Sequence, residues 1–174
     1  MEYTLNIKGH LMDLSTPQVM GILNVTPDSF YSGSRKQTEK EIADRANQII
    51  EEGGSIIDVG AFSTRPGADE VSEEEEGRRL KFALDIVRRE QSNVAISVDT
   101  YRPTLARKCI EEWGADIIND VSEGGITGIA NVPLEQREEE YPEMFRLVGE
   151  LKVPYILMSV QPTLATMMKG FAKE

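Results

Sequence analysis

An α/β fold with a parallel sheet is what the sequence predicts, and three observations carry that prediction. Short apolar runs at residues 19–23, 55–59, 94–98, 115–118 and 153–158 are apolar on both faces, as strands covered by helices must be. Amphipathic helical stretches alternate with them. Polar or glycine-rich turns mark the junctions. Two architectures fit. One is an open doubly wound sheet closing with these strands. The other is a (β/α)8 barrel, which needs ~250 residues, so that a chain of 174 residues holds only part of it.

The elements follow in order. Residues 3–14 alternate around Gly9 and predict a β-hairpin placed to plug one end of a barrel. After the first run, Thr38-Glu39-Lys40-Glu41 reads as a capping box, with Ile42, Ala46, Ile49 and Ile50 on one helical face and Gly53-Gly54 as the stop. Ser72-Glu73-Glu74-Glu75 is a second capping box, followed by the stripe Leu80, Ala83, Leu84 and Val87. A third helix opens at Pro103, buries Leu105, Ala106, Cys109, Ile110 and Trp113, and stops at Gly114. A fourth carries Met144, Leu147, Val148 and Leu151, and a fifth begins near Pro162.

Composition narrows the function. Thirty acidic against nineteen basic residues give a net charge of −11. That argues against a broad nucleic-acid or anionic-membrane surface while leaving room for a local anion site. The single cysteine, Cys109, excludes a disulfide within the chain and cysteine-rich zinc sites, and its place on an apolar stripe makes it core. The single histidine, His10, lies in the hairpin, which leaves nucleophile–histidine and multi-histidine metal chemistry without a well-placed ring. Nothing resembles a signal peptide or a bilayer span, so a cytoplasmic location is expected.

In a parallel α/β fold, function gathers at the C-terminal ends of the strands. Past the first run stand Asn24-Val25-Thr26-Pro27-Asp28-Ser29-Phe30, and past the second Gly60-Ala61-Phe62-Ser63-Thr64-Arg65-Pro66-Gly67. The third run ends in Asp99-Thr100, the fourth in Asn119-Asp120, and the fifth in Met158-Ser159. Each residue alone also has a plain structural reading. Asn24 and Asp28 suit a turn; Asp99 and Asn119-Asp120 suit helix caps. Their recurrence at successive strand ends points to a rim that holds a polar heterocycle or a metal-bound phosphate. The Glu73–Glu76 stretch reads as a dipole-compensated helix start. Arg35-Lys36 and Arg65 lie in rim loops, either solvated or part of an anion site.

These segments resemble dihydropteroate synthases. Gly21-Ile22-Leu23-Asn24-Val25-Thr26-Pro27-Asp28-Ser29-Phe30 looks like the family's first signature. Ile56-Ile57-Asp58-Val59-Gly60 with Ser63-Thr64-Arg65-Pro66-Gly67 looks like the second. Ile96-Ser97-Val98-Asp99-Thr100 and Ile117-Ile118-Asn119-Asp120-Val121 match the next two strand ends. The resemblance runs from about residue 19 to about residue 158.

The resemblance implies a (β/α)8 barrel of folate synthesis, with about the first five β/α units in this chain. The implied reaction joins 6-hydroxymethyl-7,8-dihydropterin diphosphate to 4-aminobenzoate, giving 7,8-dihydropteroate and diphosphate, with Mg2+ accompanying the diphosphate. Carried over by position, Asn24 resembles the metal ligand, and Asp99 and Asn119 the pterin-reading groups. Thr64 and Arg65 belong to a mobile loop, Phe30 and Pro66 frame the aminobenzoate where sulfonamides compete, and Met158 packs beside the pterin. Asp28 and Arg65 are the implied catalytic residues. A homodimer is implied for the full-length protein.

There are departures from the family. Tyr31-Ser32-Gly33-Ser34 stands where Ser-Asp-Gly-Gly is common, Phe62 where Glu is usual, and Ser159 where His is usual. The family also continues with three more strands that carry an Asp, a Lys, an Arg and a His of the substrate site. The expectation is therefore a single pterin-binding domain over residues 1–174, C-terminally truncated, with a hairpin over residues 1–14 and no activity alone. Two alternatives remain, a corrinoid-type pterin methyltransferase and an inactive pterin-binding fragment. The Thr-Pro-Asp-Ser-Phe loop favours the synthase over the first.

Overall fold

The computed structural model describes residues 3–25, 35–62, 71–122 and 143–158. Strands β1 (Thr4–Ile7) and β2 (His10–Asp13) form the expected antiparallel hairpin. Lys8 and Gly9 both take positive φ, 49° and 91°, which is the turn that matches the twist of paired strands. Then come β3 (Met20–Asn24), α1 (Arg35–Glu51), β4 (Ile56–Gly60), α2 (Glu73–Glu90), β5 (Ala95–Asp99), α3 (Pro103–Glu111), β6 (Ile117–Asp120), α4 (Glu143–Leu151) and β7 (Tyr155–Leu157).

The sheet order is β3-β4-β5-β6-β7, all parallel. This order decides between the two architectures. A doubly wound sheet reverses its strand order at a switch point. Here each strand lies beside its predecessor, and right-handed crossovers then put all helices on the same face. The other face is the inside of a barrel wall.

Strand alternation assigns the faces. Leu23, Ile57, Val59, Ile96, Val98 and Ile118 point towards the helices and are buried against Ile42, Ala46, Leu80, Leu84, Leu105 and Met144. A second cluster, Ile56, Ala95 and Ile117, lies at the N-terminal ends of the strands on the inner face, with Ile7 and Met12 of the hairpin packed on it. The hairpin therefore closes the bottom of the wall. Lys8 ties it down, with Nζ donating to the Ala115 carbonyl at 2.9 Å and pairing with Asp116 at 3.0 Å.

Two features of the helices differ from expectation. Helix α1 begins at Arg35, before the expected Thr38 cap; Thr38 lies in the helix and is buried. Arg35 and Lys36 thus belong to the first turn of α1 and not to a rim loop. The stop is as expected: Gly54 N–H bonds to Ile49 O and Gly53 N–H to Ile50 O. Ser72 caps α2 by accepting from Glu75 N–H at 3.3 Å. The acidic start of α2 is not wholly solvated, because Glu76 is buried: Oε1 accepts from the Thr100 hydroxyl at 2.6 Å, and Oε2 pairs with Arg102. Arg102 also donates to Val71 O at 2.7 Å, and Arg79 to Ala61 O at 3.3 Å. The expected helix near Pro162 lies outside the described residues.

Candidate functional site

Polar side chains cluster at the upper end of the inner face because the parallel ladder places them in rows. Asn24 pairs in register with Gly60, Gly60 with Asp99, and Asp99 with Asn119. One layer below, Asp58 is in register with Ser97. Adjacent strands are ~4.8 Å apart, so Gly60, Asp99 and Asn119 fit under one small ligand. Gly60 is the small member of its row: a Cβ there would stand 2.9 Å from Asn24 Oδ1 and 3.5 Å from Asp99. Its lack of a side chain keeps open the space between those two polar groups.

Burial makes this row unusual. Asp58 Oδ1, Ser97 Oγ, Asp99 Oδ1 and Asn119 Oδ1 are buried side-chain atoms without a hydrogen-bond partner of good geometry among the described residues. A buried unpaired polar atom costs ~1–3 kcal/mol. The Ser97 hydroxyl lies beside the Asp58 carboxyl, so Asp99 Oδ1 and Asn119 Oδ1 are the pair on this wall placed to meet a polar ligand. The one bond formed within the row runs from Asn119 Nδ2 to Asp58 Oδ2 at 3.1 Å.

The electrostatics follow from that burial. The Asp99 carboxyl is pushed up to about 7, first by loss of solvent and then by the negative charges of Asp58, Glu76 and Asp120. Burial raises Asp58 as well, opposed by the nearby Ser97 hydroxyl and the Asn119 amide. Near neutral pH, Asp99 can therefore accept a hydrogen bond when ionised or donate one when protonated.

The structure separates the two readings of the strand ends. Asp99 does not cap α3, whose N-cap is Arg102 with no side-chain cap bond. Asn119 faces the inner side. Asp120 is structural, accepting from Ser122 N–H and hydroxyl at 2.7 and 2.6 Å and from the Tyr155 hydroxyl at 2.7 Å. Asn24 ends β3 and is exposed. Met158 follows β7, bonded through its N–H to Asp120 O, and is 45% exposed. Phe62 packs edge-on against Tyr101 with ring centroids 5.1 Å apart, and the Arg102 guanidinium lies over the Tyr101 ring. Asp28, Phe30, Thr64, Arg65 and Pro66 lie outside the described residues.

Asp58 and Ser97 were not singled out by the sequence reading. The available signal was a carboxylate in the middle of an otherwise apolar strand. His10 is exposed on the hairpin at the opposite end of the wall, and Cys109 is buried core, both as expected. Among the described residues, no group of three or more His, Cys, Asp or Glu is arranged to hold a metal ion, and no helix is long and apolar enough to cross a membrane.

Comparison with known proteins agrees with this arrangement. Residues 20–173 match the model of the family described as pterin binding enzyme. The chain is 39% identical to dihydropteroate synthase of Escherichia coli over 163 residues, 94% of this chain and 52% of that protein. It is 39% identical to the mitochondrial folate synthesis bifunctional protein of Arabidopsis thaliana over 170 residues, 96% of this chain and 28% of that protein. Among solved structures, dihydropteroate synthase of Xanthomonas albilineans with 4-aminobenzoic acid superimposes with a TM-score of 0.72 at 34% identity, over 92% of this chain and 52% of that one. The same enzyme in complex with 7,8-dihydropteroate gives 0.69 at 28% identity, over 98% and 58%. The chain thus spans about half the length of the synthases it matches.

Proposed function

The chain belongs to the pterin-binding enzyme family, whose model it matches over residues 20–173, and from that premise we propose that it supplies the pterin-binding wall of a dihydropteroate synthase. The substrates are 6-hydroxymethyl-7,8-dihydropterin diphosphate and 4-aminobenzoate. The observation that carries the reading is the pair of buried atoms, Asp99 Oδ1 and Asn119 Oδ1, that have no hydrogen-bond partner among the described residues. A pterin edge carries ring nitrogens, N–H groups and a carbonyl in a fixed pattern, and carboxylate and amide groups meet such a pattern with paired hydrogen bonds.

In this reading Asp99 and Asn119 hold the pterin edge, and Met158 packs at the ring's rim. Asn24 would be the residue of this chain that holds Mg2+ when the diphosphate substrate is bound. The donor set fits that ion: one hard amide oxygen at an exposed strand end, beside the space that Gly60 leaves, is what an ion needs if substrate phosphate supplies much of its shell. When bound, Mg2+ neutralises charge on the leaving diphosphate. By the family resemblance, Arg65 would add positive charge to the diphosphate, and Asp28 and Thr64 would act in the same reaction. Phe30 and Pro66 frame the aminobenzoate, where sulfonamides compete.

The reaction breaks the bond from the pterin methylene carbon to the diphosphate oxygen. A bond from that carbon to the aminobenzoate nitrogen replaces it, and the amine proton is released. Positive charge on the carbon is delocalised into the pterin before attack, so no strong base is required. That suits a wall without histidine among its described residues. Exclusion of water from the site would protect that cation from hydrolysis. The protein is read as cytoplasmic and, at full length, as a homodimer.

Titration of the chain with 6-hydroxymethylpterin tests the reading. The unaltered chain binds, and Asp99→Ala weakens binding by about 1–3 kcal/mol, the cost of leaving a buried donor unpaired. An unchanged affinity in the variant removes Asp99 from the pterin site.

A further inference from the structure

We propose that Asp58 is a positioning residue that fixes the direction of the Asn119 amide, so that the site presents an acceptor oxygen and selects a ligand edge bearing an N–H donor. The inference rests on the pterin reading and deepens it. An amide side chain has a donor end and an acceptor end, and the end that faces a ligand is set by whatever holds the other. Among the described residues the Asn119 side chain has one hydrogen-bond partner, Asp58 Oδ2, at 3.1 Å from Nδ2. Asp58 and Asn119 are each 4% exposed. A carboxylate only accepts, so Nδ2 is drawn to it. The reverse orientation would set two oxygens against each other away from water. Oδ1 is thereby left buried and without a partner, to be met by an N–H of the ligand. Asp58 reaches Asn119 across β5 from the layer below, so it orients the reading group from beneath the ligand.

Two variants separate orientation from shape. Asp58→Asn keeps an oxygen that can accept from Nδ2, whereas Asp58→Leu keeps similar bulk and removes the acceptor. The ligand series is 6-hydroxymethyl-7,8-dihydropterin, its oxidised form, which has lost the ring N8–H, and lumazine, which has oxygen in place of the exocyclic amino group. The unaltered chain prefers the dihydropterin over at least one of these two. Asp58→Asn, whose amide can donate as well as accept, weakens that preference without abolishing it, with affinity within about threefold. Asp58→Leu loses about tenfold in affinity and the preference with it. Retained preference in an Asp58→Leu protein with an unchanged circular dichroism spectrum overturns the proposal.

If Asp58→Leu does not fold, nuclear magnetic resonance of the unaltered chain decides. A side-chain N–H of Asn119 is protected from exchange without ligand and stays so with it. Fast exchange of both N–H protons in the free chain overturns the inference. Failure of the unaltered chain to bind any of the three ligands overturns the pterin reading instead, while the exchange measurement still reports on the amide.

Discussion

Asp99 shows how one site residue can cost the fold stability. Its carboxyl titrates at about 7 in the folded chain, raised first by burial and then by Asp58, Glu76 and Asp120, whereas an unfolded aspartate titrates near ~3.9. Between those values the folded chain holds a proton that the unfolded chain has released. Stability therefore falls as pH rises from about 4 to about 7 and levels off above. Asp99→Asn removes the ionisation with little change of shape. Thermal melts should show the variant close to the unaltered chain at pH 4 and raised in melting temperature at pH 8. A lower melting temperature at pH 8 would contradict this account. Asp99, Asn119 and Asn24 were legible in the sequence because each follows an apolar run at a strand end. Asp58 and Ser97 were not, because alternation shows which face a residue occupies only once the inner face is known, and that requires the strand order. Glu76 was hidden for a similar reason. An acidic run before a helix reads as solvated until Thr100 and Arg102 are seen to cover one member of it.

At the level of elements, every apolar run became a strand, but four of the five strands start or end at least one residue past the run. Strands β3, β4, β5 and β6 continue into Asn24, Gly60, Asp99 and Asn119-Asp120. The ladder goes on because the backbone still pairs there, while the side chains have passed from packing to ligand contact. Hydrophobicity therefore stops short of the strand wherever the site begins. The polar cap above β5 is held by the Glu76–Thr100–Arg102 network, which joins the start of α2 to the β5–α3 turn. Arg102→Ala leaves the fully buried Glu76 without its cation. Urea unfolding of the variant should show a loss of ~3–5 kcal/mol, the usual cost of breaking a buried pair from one side. The double variant Glu76→Gln, Arg102→Ala should recover part of it. A loss below ~1 kcal/mol for Arg102→Ala, the range of exposed pairs, would show that solvent reaches Glu76.

Across the described residues, the strand order that identifies a barrel wall has β3 at one edge and β7 at the other. Among the described residues, β3 pairs only with β4, and β7 only with β6. Among the described residues, neither has a strand paired along its other side, and on β3 the Ile22 carbonyl accepts from Arg45. Ile22, on the inner face in the row of Asp58, is 56% exposed. Apolar area left in water forfeits ~25 cal/mol per Å2 that contact with another surface would recover. The family resemblance places a Lys, an Arg, a His and a further Asp of the substrate site on strands beyond the fifth, and a cation or hydrogen-bond donor facing a departing diphosphate is worth ~3 kcal/mol at typical values. The 174-residue chain expressed alone should therefore self-associate through its open strand edges, and should not condense dihydropterin diphosphate with 4-aminobenzoate. Sedimentation velocity over a range of concentrations and a condensation assay measure the two outcomes. A monomer with synthase activity would mean that the groups on Asn24, Asp58, Asp99 and Asn119, together with the loops that follow β3 and β4, suffice for the chemistry.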